Sequence, residues 1–232
     1  TRIPENTDIK EASFTVLGSI ALHGLRLSET SLGSKVVVIG LGIIGQLVCR
    51  LAEAQGSEVI GIDPDTKRTD MSENFYTSVE EANMTNVDSV IITAATSSNE
   101  PIEVATKIAR NKAKIVVVGD IPLNISRNDF YYKELELVVS KSYGPGRYDK
   151  QYEILGKDYP IEYVRWTENR NFEAFIKLLS QNQIHLLDLV TEEVSFENAP
   201  SIYKKFSGED KPLSIVLRYD NKSEPKIDLQ RT

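Results

Sequence analysis

One cysteine, Cys49, stands in 232 residues. No disulfide can close within the chain, which excludes a disulfide-stapled scaffold and suits a reducing compartment such as the cytoplasm. No run approaches the ~20 apolar residues that span a bilayer, so no membrane partner is expected. The opening Thr1-Arg-Ile-Pro-Glu-Asn-Thr-Asp8 has no apolar core of a signal peptide. It also lacks an initiating Met, and the expectation is that the chain begins inside a larger one. Positive charge is short as well. The 27 Lys and Arg against 34 Asp and Glu give a net charge of −7, with no basic stripe for phosphates, so nucleic acid is excluded as the main partner. Histidine is nearly as scarce as cysteine, with two residues. His23 lies on a helical stretch with apolar neighbours and His185 in an apolar run, so both read as structural, and no general base is identifiable.

What is present begins with a β-branched run, Lys35-Val-Val-Val-Ile39, entering Gly40-Leu41-Gly42-Ile43-Ile44-Gly45. A helical repeat follows in Ile44, Leu47, Val48 and Leu51, stopped by Gln55-Gly56. A second apolar run then ends on Asp63, 63 − 40 = 23 residues after the first glycine. That order is expected of a site for an adenine dinucleotide. Gly40 allows a tight turn, Gly42 lets backbone approach a pyrophosphate, and Gly45 lets the helix lie close to the sheet. The helix N-terminus then faces the phosphates. Asp63 can accept both ribose hydroxyls and repels a 2′-phosphate, which favours NAD over NADP. Lys67 and Arg68 keep NADP open, because nearby cations can hold a phosphate. The alternative for the glycines alone is a tight strand-to-helix turn in some other α/β protein.

Further runs extend the pattern. Strands are expected at Ser89–Thr93, Lys114–Gly119 and Glu136–Ser140, a short one at Phe75–Tyr76, and helices at Ile9–Leu27, Val79–Asn83, Pro101–Asn111 and Asn128–Lys133. Alternating strands and helices of this length imply an α/β fold with a doubly wound parallel sheet, a Rossmann domain. Ligands in such sheets bind beyond the C-terminal strand ends, which adds Thr93, Ala94, Ala95, Thr96, Gly119, Asp120 and Ile121 to the cofactor-binding candidates. Thr93–Thr96 and Gly119 can equally be tight loops after strands. We divide the chain into a linking helix (1–30), the Rossmann domain (31–142), an aromatic-rich extension and helix (143–182), a C-terminal segment (183–219) and a polar tail or linker (220–232). That C-terminal segment holds a short strand at Glu193–Phe196, a helix at Asn198–Phe206, a turn at 208–212 and a last strand at Leu213–Tyr219. In the extension, Tyr143, Arg147, Tyr148, Arg165 and Trp166 suit a substrate-facing loop, aromatic faces for a sugar ring and guanidinium for an anion. The same residues can instead pack against another domain or subunit.

These motifs resemble a known family. The glycine turn, Asp63, Val-Ile-Ile-Thr-Ala-Ala and Val-Val-Val-Gly are similar to the cofactor half of the medium-chain (zinc-type alcohol) dehydrogenases. So are Thr191–Tyr203 and Ser207–Leu217, which in that family return to the catalytic domain. A closer resemblance comes from Phe130–Leu137, Ser142-Tyr-Gly-Pro-Gly-Arg-Tyr-Asp149, Asp158–Glu168 and Ala12–Arg26. It is to the dehydrogenase-like part of bi-domain oxidoreductases of bacterial polysaccharide biosynthesis. The family's GroES-like barrel is missing here, and residues 64–75 look shorter than its second crossover. In the family a zinc ligand can lie in the segment matching Ser13–Ile20. Here that segment has no Cys, His, Asp or Glu, so no metal is expected in this chain.

The resemblance implies hydride transfer in an intact parent, between NAD and an alcohol or carbonyl of a sugar or nucleotide sugar. The fragment alone is expected to be inactive, with its catalytic residues unknown. A homodimer is expected. The competing reading is a nucleotide-sensing or assembly module that keeps the fold without the chemistry.

Overall fold

The computed structural model describes residues 1–207 and 211–219. The tail at 220–232, and part of the turn expected at 208–212, lie outside them. Two compact units are present, Thr1–His185 and one beginning at Leu186.

The first unit opens with α1 (Ile9–Ala12) and α2 (Thr15–Leu27), where the sequence predicts one helix. The break has a local cause: the Ser13 hydroxyl donates to the Lys10 carbonyl at 2.6 Å, a side-chain bond that competes with the helix ladder. Next come β1 (Lys35–Ile39), α3 (Ile43–Ala54), β2 (Glu58–Ile62), α4 (Thr66–Thr69), β3 (Phe75–Tyr76), α5 (Val79–Ala82) and β4 (Val87–Ile92). They are followed by α6 (Glu100–Ile108), β5 (Ala109–Val117), α7 (Arg127–Tyr131), β6 (Glu136–Val139), α8 (Lys150–Glu153) and α9 (Glu168–Ser180). The six strands make one parallel sheet in the order β3-β2-β1-β4-β5-β6. Strand order reverses between β1 and β4, so the crevice of a doubly wound sheet falls between their C-terminal ends.

Alternation along the strands builds the core on both faces. Val37 and Ile39 join Ile60, Ile62, Val90, Ile92, Ile115 and Val117 under Ile102, Ala105 and Ile108 of α6. Val36 and Val38, also buried, face the other side. There α2 packs beside α3 and α9. The α2–α9 seam closes on Gly18, where an added Cβ would sit 2.2 Å from the Phe175 ring.

The helix expected to run through Asn111 stops at Ile108, and β5 starts on the next residue rather than at Lys114. No glycine ends it. Instead the Lys133 ammonium donates to the carbonyls of Thr106, Lys107 and Ala109 at 2.7, 2.9 and 2.8 Å. A cation there satisfies the helix's open carbonyls and its negative dipole end.

The second unit pairs β7 (Glu192–Ser195) with β8 (Ile215–Arg218) in parallel, with α10 (Ala199–Ile202) between them. The helix expected over 198–206 is only this one turn, flanked by 3-10 turns at Phe196–Asn198 and Tyr203–Ser207. The Ser214 hydroxyl donates to the Leu189 carbonyl at 2.6 Å and Lys205 pairs with Glu192 at 2.6 Å, which ties the ladder to its flanks.

Candidate functional site

The three glycines of the turn after β1 have three different reasons to be glycine. Gly40 has φ +95°, a left-handed conformation that other residues resist, and a Cβ there would lie 2.5 Å from the Ala94 nitrogen. Gly45 carries α3 against the turn, since its Cβ would lie 1.9 Å from the Gly40 carbonyl oxygen and 2.8 Å from the Thr93 hydroxyl. Gly42 is neither strained nor crowded. As N-cap of α3 its φ is −63°, and an added Cβ would meet only Arg68 Nη1, at 3.8 Å. No side chain caps α3, so the first turn, where Ile43 and Ile44 sit half-buried, has N–H groups without a side-chain acceptor.

Asp63 follows β2 and is only 4% exposed. Its Oδ2 accepts the Leu41 N–H at 2.7 Å and Arg68 Nη1 at 3.2 Å, and its Oδ1 accepts the Asp65 N–H at 2.9 Å. The carboxylate therefore braces the glycine turn against the loop after β2, and Arg68 covers it. Arg68 also pairs through Nε with Asp65 Oδ2 at 3.3 Å. Lys67 is exposed on the same short helix, α4.

The loops after β4 and β5 close the crevice. The Thr93 hydroxyl turns inward and donates to the Gly40 carbonyl, so it locks the glycine turn. A Cβ on Gly119 would lie 2.0 Å from the Ala94 carbonyl oxygen, so Gly119 is glycine because these two loops touch. The Thr96 N–H donates to the Asp120 carbonyl at 3.0 Å and fastens them further on. Ala95, Thr96 and Asp120 stay exposed, while Ile121 is half-buried. The fold thus brings the glycine turn, Thr93–Thr96 and Gly119–Ile121 to one place, with Asp63 fixed behind the turn.

The aromatic extension divides in two. Tyr143 and Tyr148 lie on the loop after β6, with the Arg147 guanidinium 5.2 Å from the Tyr143 ring and 4.3 Å from that of Tyr148. Glu153 holds Arg147 at 2.7 Å. Trp166 is elsewhere, sandwiched between the guanidiniums of Arg26 at 3.3 Å and Arg165 at 3.8 Å. Burial, with help from the Arg165 charge, brings the Arg26 pKa down to about 10.

Sequence reasoning missed the residue that joins these parts. Asn171 of α9 is fully buried, its Oδ1 accepts Arg26 Nε at 3.0 Å, and its Nδ2 donates to the Tyr143 carbonyl at 3.1 Å. The signal was a lone amide on the apolar stripe of Phe175 and Leu179. His23 is close by, its Nδ1 3.0 Å from where a Gly144 Cβ would stand, and burial followed by the Arg26 charge lowers its pKa. Cys49 is a packed thiol that burial pushes up. His185 is exposed. Among the described residues, no three His, Cys, Asp or Glu side chains gather as metal ligands, and no helix is long and apolar enough to cross a membrane.

Comparison with known proteins adds five findings. The family model for the NAD binding domain of D-isomer specific 2-hydroxyacid dehydrogenases matches residues 18–129, the glycine turn and the strands around it. The 2-dehydro-3-deoxy-L-galactonate 5-dehydrogenase of Pseudoalteromonas atlantica is 26% identical over 66% of this chain and 49% of its own length. The D-guloside 3-dehydrogenase of Escherichia coli is 24% identical over 93% of this chain and 63% of its own. The chain therefore spans about half to two thirds of the curated relatives it matches. Among solved structures, a Sinorhizobium meliloti dehydrogenase described as zinc-binding, bound to NADP, superposes with TM-score 0.70 at 19% identity, over 94% of this chain and 61% of that one. An alcohol dehydrogenase from Escherichia coli CFT073, complexed with NADH, gives 0.74 at 18% identity over 94% and 61%.

Proposed function

Because the chain is an NAD-binding dehydrogenase domain similar to those of sugar and polyol dehydrogenases, we propose that it holds the nicotinamide dinucleotide of an oxidoreductase of the medium-chain kind. The parent would act on a hydroxyl or carbonyl of a sugar or sugar derivative, with a part in polysaccharide synthesis. The single observation that carries this is Gly42. Nothing in the protein crowds that position and its backbone is unstrained, so glycine there is explained by a ligand's close approach. A diphosphate over the turn would meet the uncapped first N–H groups of α3.

The cofactor, when bound, supplies the hydride acceptor or donor. The chain's own residues bind and orient it. Gly40–Gly45 cradle the diphosphate, Asp63 takes the adenosine ribose through the acceptor capacity its three donors leave open, and Thr93–Thr96 with Gly119–Ile121 line the nicotinamide side. Two acids, Asp63 and Asp65, near the ribose position support NAD over NADP. Tyr143, Arg147 and Tyr148, on the loop after β6, are the substrate-facing group, while Arg165 and Trp166 brace that loop through Arg26. A homodimer in the cytoplasm fits a chain with one buried thiol. The relatives' dehydrogenase activity favours catalysis over a pure sensing role.

Titration of the chain with NADH, followed by nicotinamide fluorescence, tests the reading. A saturable rise that Asp63→Ala weakens is expected, and a flat response at millimolar NADH and NADPH would remove it. Hydride transfer is tested on the full-length protein with a panel of polyols and nucleotide sugars.

A further inference from the structure

We propose that Asp65, not only Asp63, sets which dinucleotide this site accepts, by restraining the guanidinium of Arg68. The inference rests on the cofactor reading above and assigns a specificity role within it. Arg68 Nη1 stands 3.8 Å from the empty Cβ position of Gly42, so the cation hangs over the diphosphate turn. It is held there from two sides, by Asp63 Oδ2 at 3.2 Å and Asp65 Oδ2 at 3.3 Å.

The two acids are not equivalent. Asp63 is buried and already accepts two backbone N–H groups, those of Leu41 and Asp65. It is fixed without Arg68. Asp65 is an exposed side chain whose other oxygen accepts the Lys67 N–H at 3.1 Å as N-cap of α4. It holds Arg68 and little else.

A ribose diol has two hydroxyls, so besides the acceptor site that Asp63 keeps open it takes the one that Arg68 vacates on retreating onto Asp65 alone. A 2′-phosphate needs Arg68 released from both acids and also meets the Asp65 charge. Asp65 therefore favours the diol twice, as a resting place for the cation and as a second negative charge. Without Asp65, Arg68 is free to turn onto a phosphate, for which a guanidinium is well shaped.

The test uses the 232-residue chain with NADH and NADPH as probes and fluorescence and calorimetric titration as readouts. Asp65→Asn keeps the helix cap and removes the charge. It should tighten NADPH relative to NADH by roughly five- to tenfold, the scale of one screened charge. Arg68→Ala in the Asp65→Asn background should abolish that gain, the mark of coupling through Arg68. An Asp65→Asn chain that binds NADH as before with the NADPH-to-NADH ratio unmoved overturns this inference and leaves the cofactor site standing. A wild-type chain that binds neither dinucleotide overturns both.

Discussion

Gly42 and Gly45 are three residues apart, and replacing each with alanine should break different things. At Gly45 the new methyl would stand 1.9 Å from a backbone oxygen, that of Gly40, and 2.8 Å from the Thr93 hydroxyl. Backbone cannot rotate away, so α3 must lift off the turn, an overpacking strain of about 3 kcal/mol. For a domain of this size that is a fall in Tm of about 6–12 °C. At Gly42 the methyl meets only the end of Arg68, at 3.8 Å, and φ is ordinary at −63°. Alanine is a poorer N-cap than glycine, but it also restricts the unfolded chain by about 0.4–1 kcal/mol, and the two offset. Tm should therefore move by less than ~2 °C. Binding should respond the other way. A methyl on the floor of the diphosphate site should weaken NADH at least ~10-fold, about 1.4 kcal/mol. Differential scanning fluorimetry and NADH titration on the two variants read both effects. A Gly42→Ala chain that melts like the parent and also binds NADH like it would refute the placement of the diphosphate on this turn.

Other expectations follow from the same structure. Gly18→Ala sets a methyl 2.2 Å from the Phe175 ring, and chemical denaturation should find a loss of about 1–3 kcal/mol as the α2–α9 seam opens. Asn171→Leu strands the Arg26 Nε–H and the Tyr143 carbonyl, and about 2–3 kcal/mol of stability should go with them, along with faster hydrogen exchange at Tyr143–Arg147. Histidine 23 has its pKa lowered in the folded chain, so the unfolded chain binds its proton first. Stability should fall as pH drops below about 6.5, the unfolded value, and His23→Gln should flatten that part of the profile in pH-dependent melting curves.

The run from Lys35 to Asp63 was legible in the sequence because everything it specifies is local. Uninterrupted β-branched residues mark strands covered on both faces, and glycine spacing marks the turn between them. The alternation of strands and helices then carried the parallel, doubly wound sheet. Boundaries set by distant groups were not legible. Helix α6 ends where Lys133 reaches back across 24 residues to Ala109, which no window of sequence around Ile108 reveals. The site was half legible for the same reason. The pattern marks Asp63 as an acid at a strand end, but its engagement by Leu41, Asp65 and Arg68 is a product of folding. The aromatic block was least legible, since a tyrosine that packs and one that faces solvent look alike in sequence. Tyr152 is buried, whereas Tyr163 is 86% exposed.

The lysine that closes α6 has an architectural consequence. Because the chain passes from helix to strand with no intervening residue, the edge of the sheet opposite the crevice has no slack at this crossover. Insertions there would have to cut a junction stitched by one ammonium ion. Added length would be taken more readily at the opposite rim, where the loops after β4, β5 and β6 already differ in length, the side on which a doubly wound sheet handles its ligands.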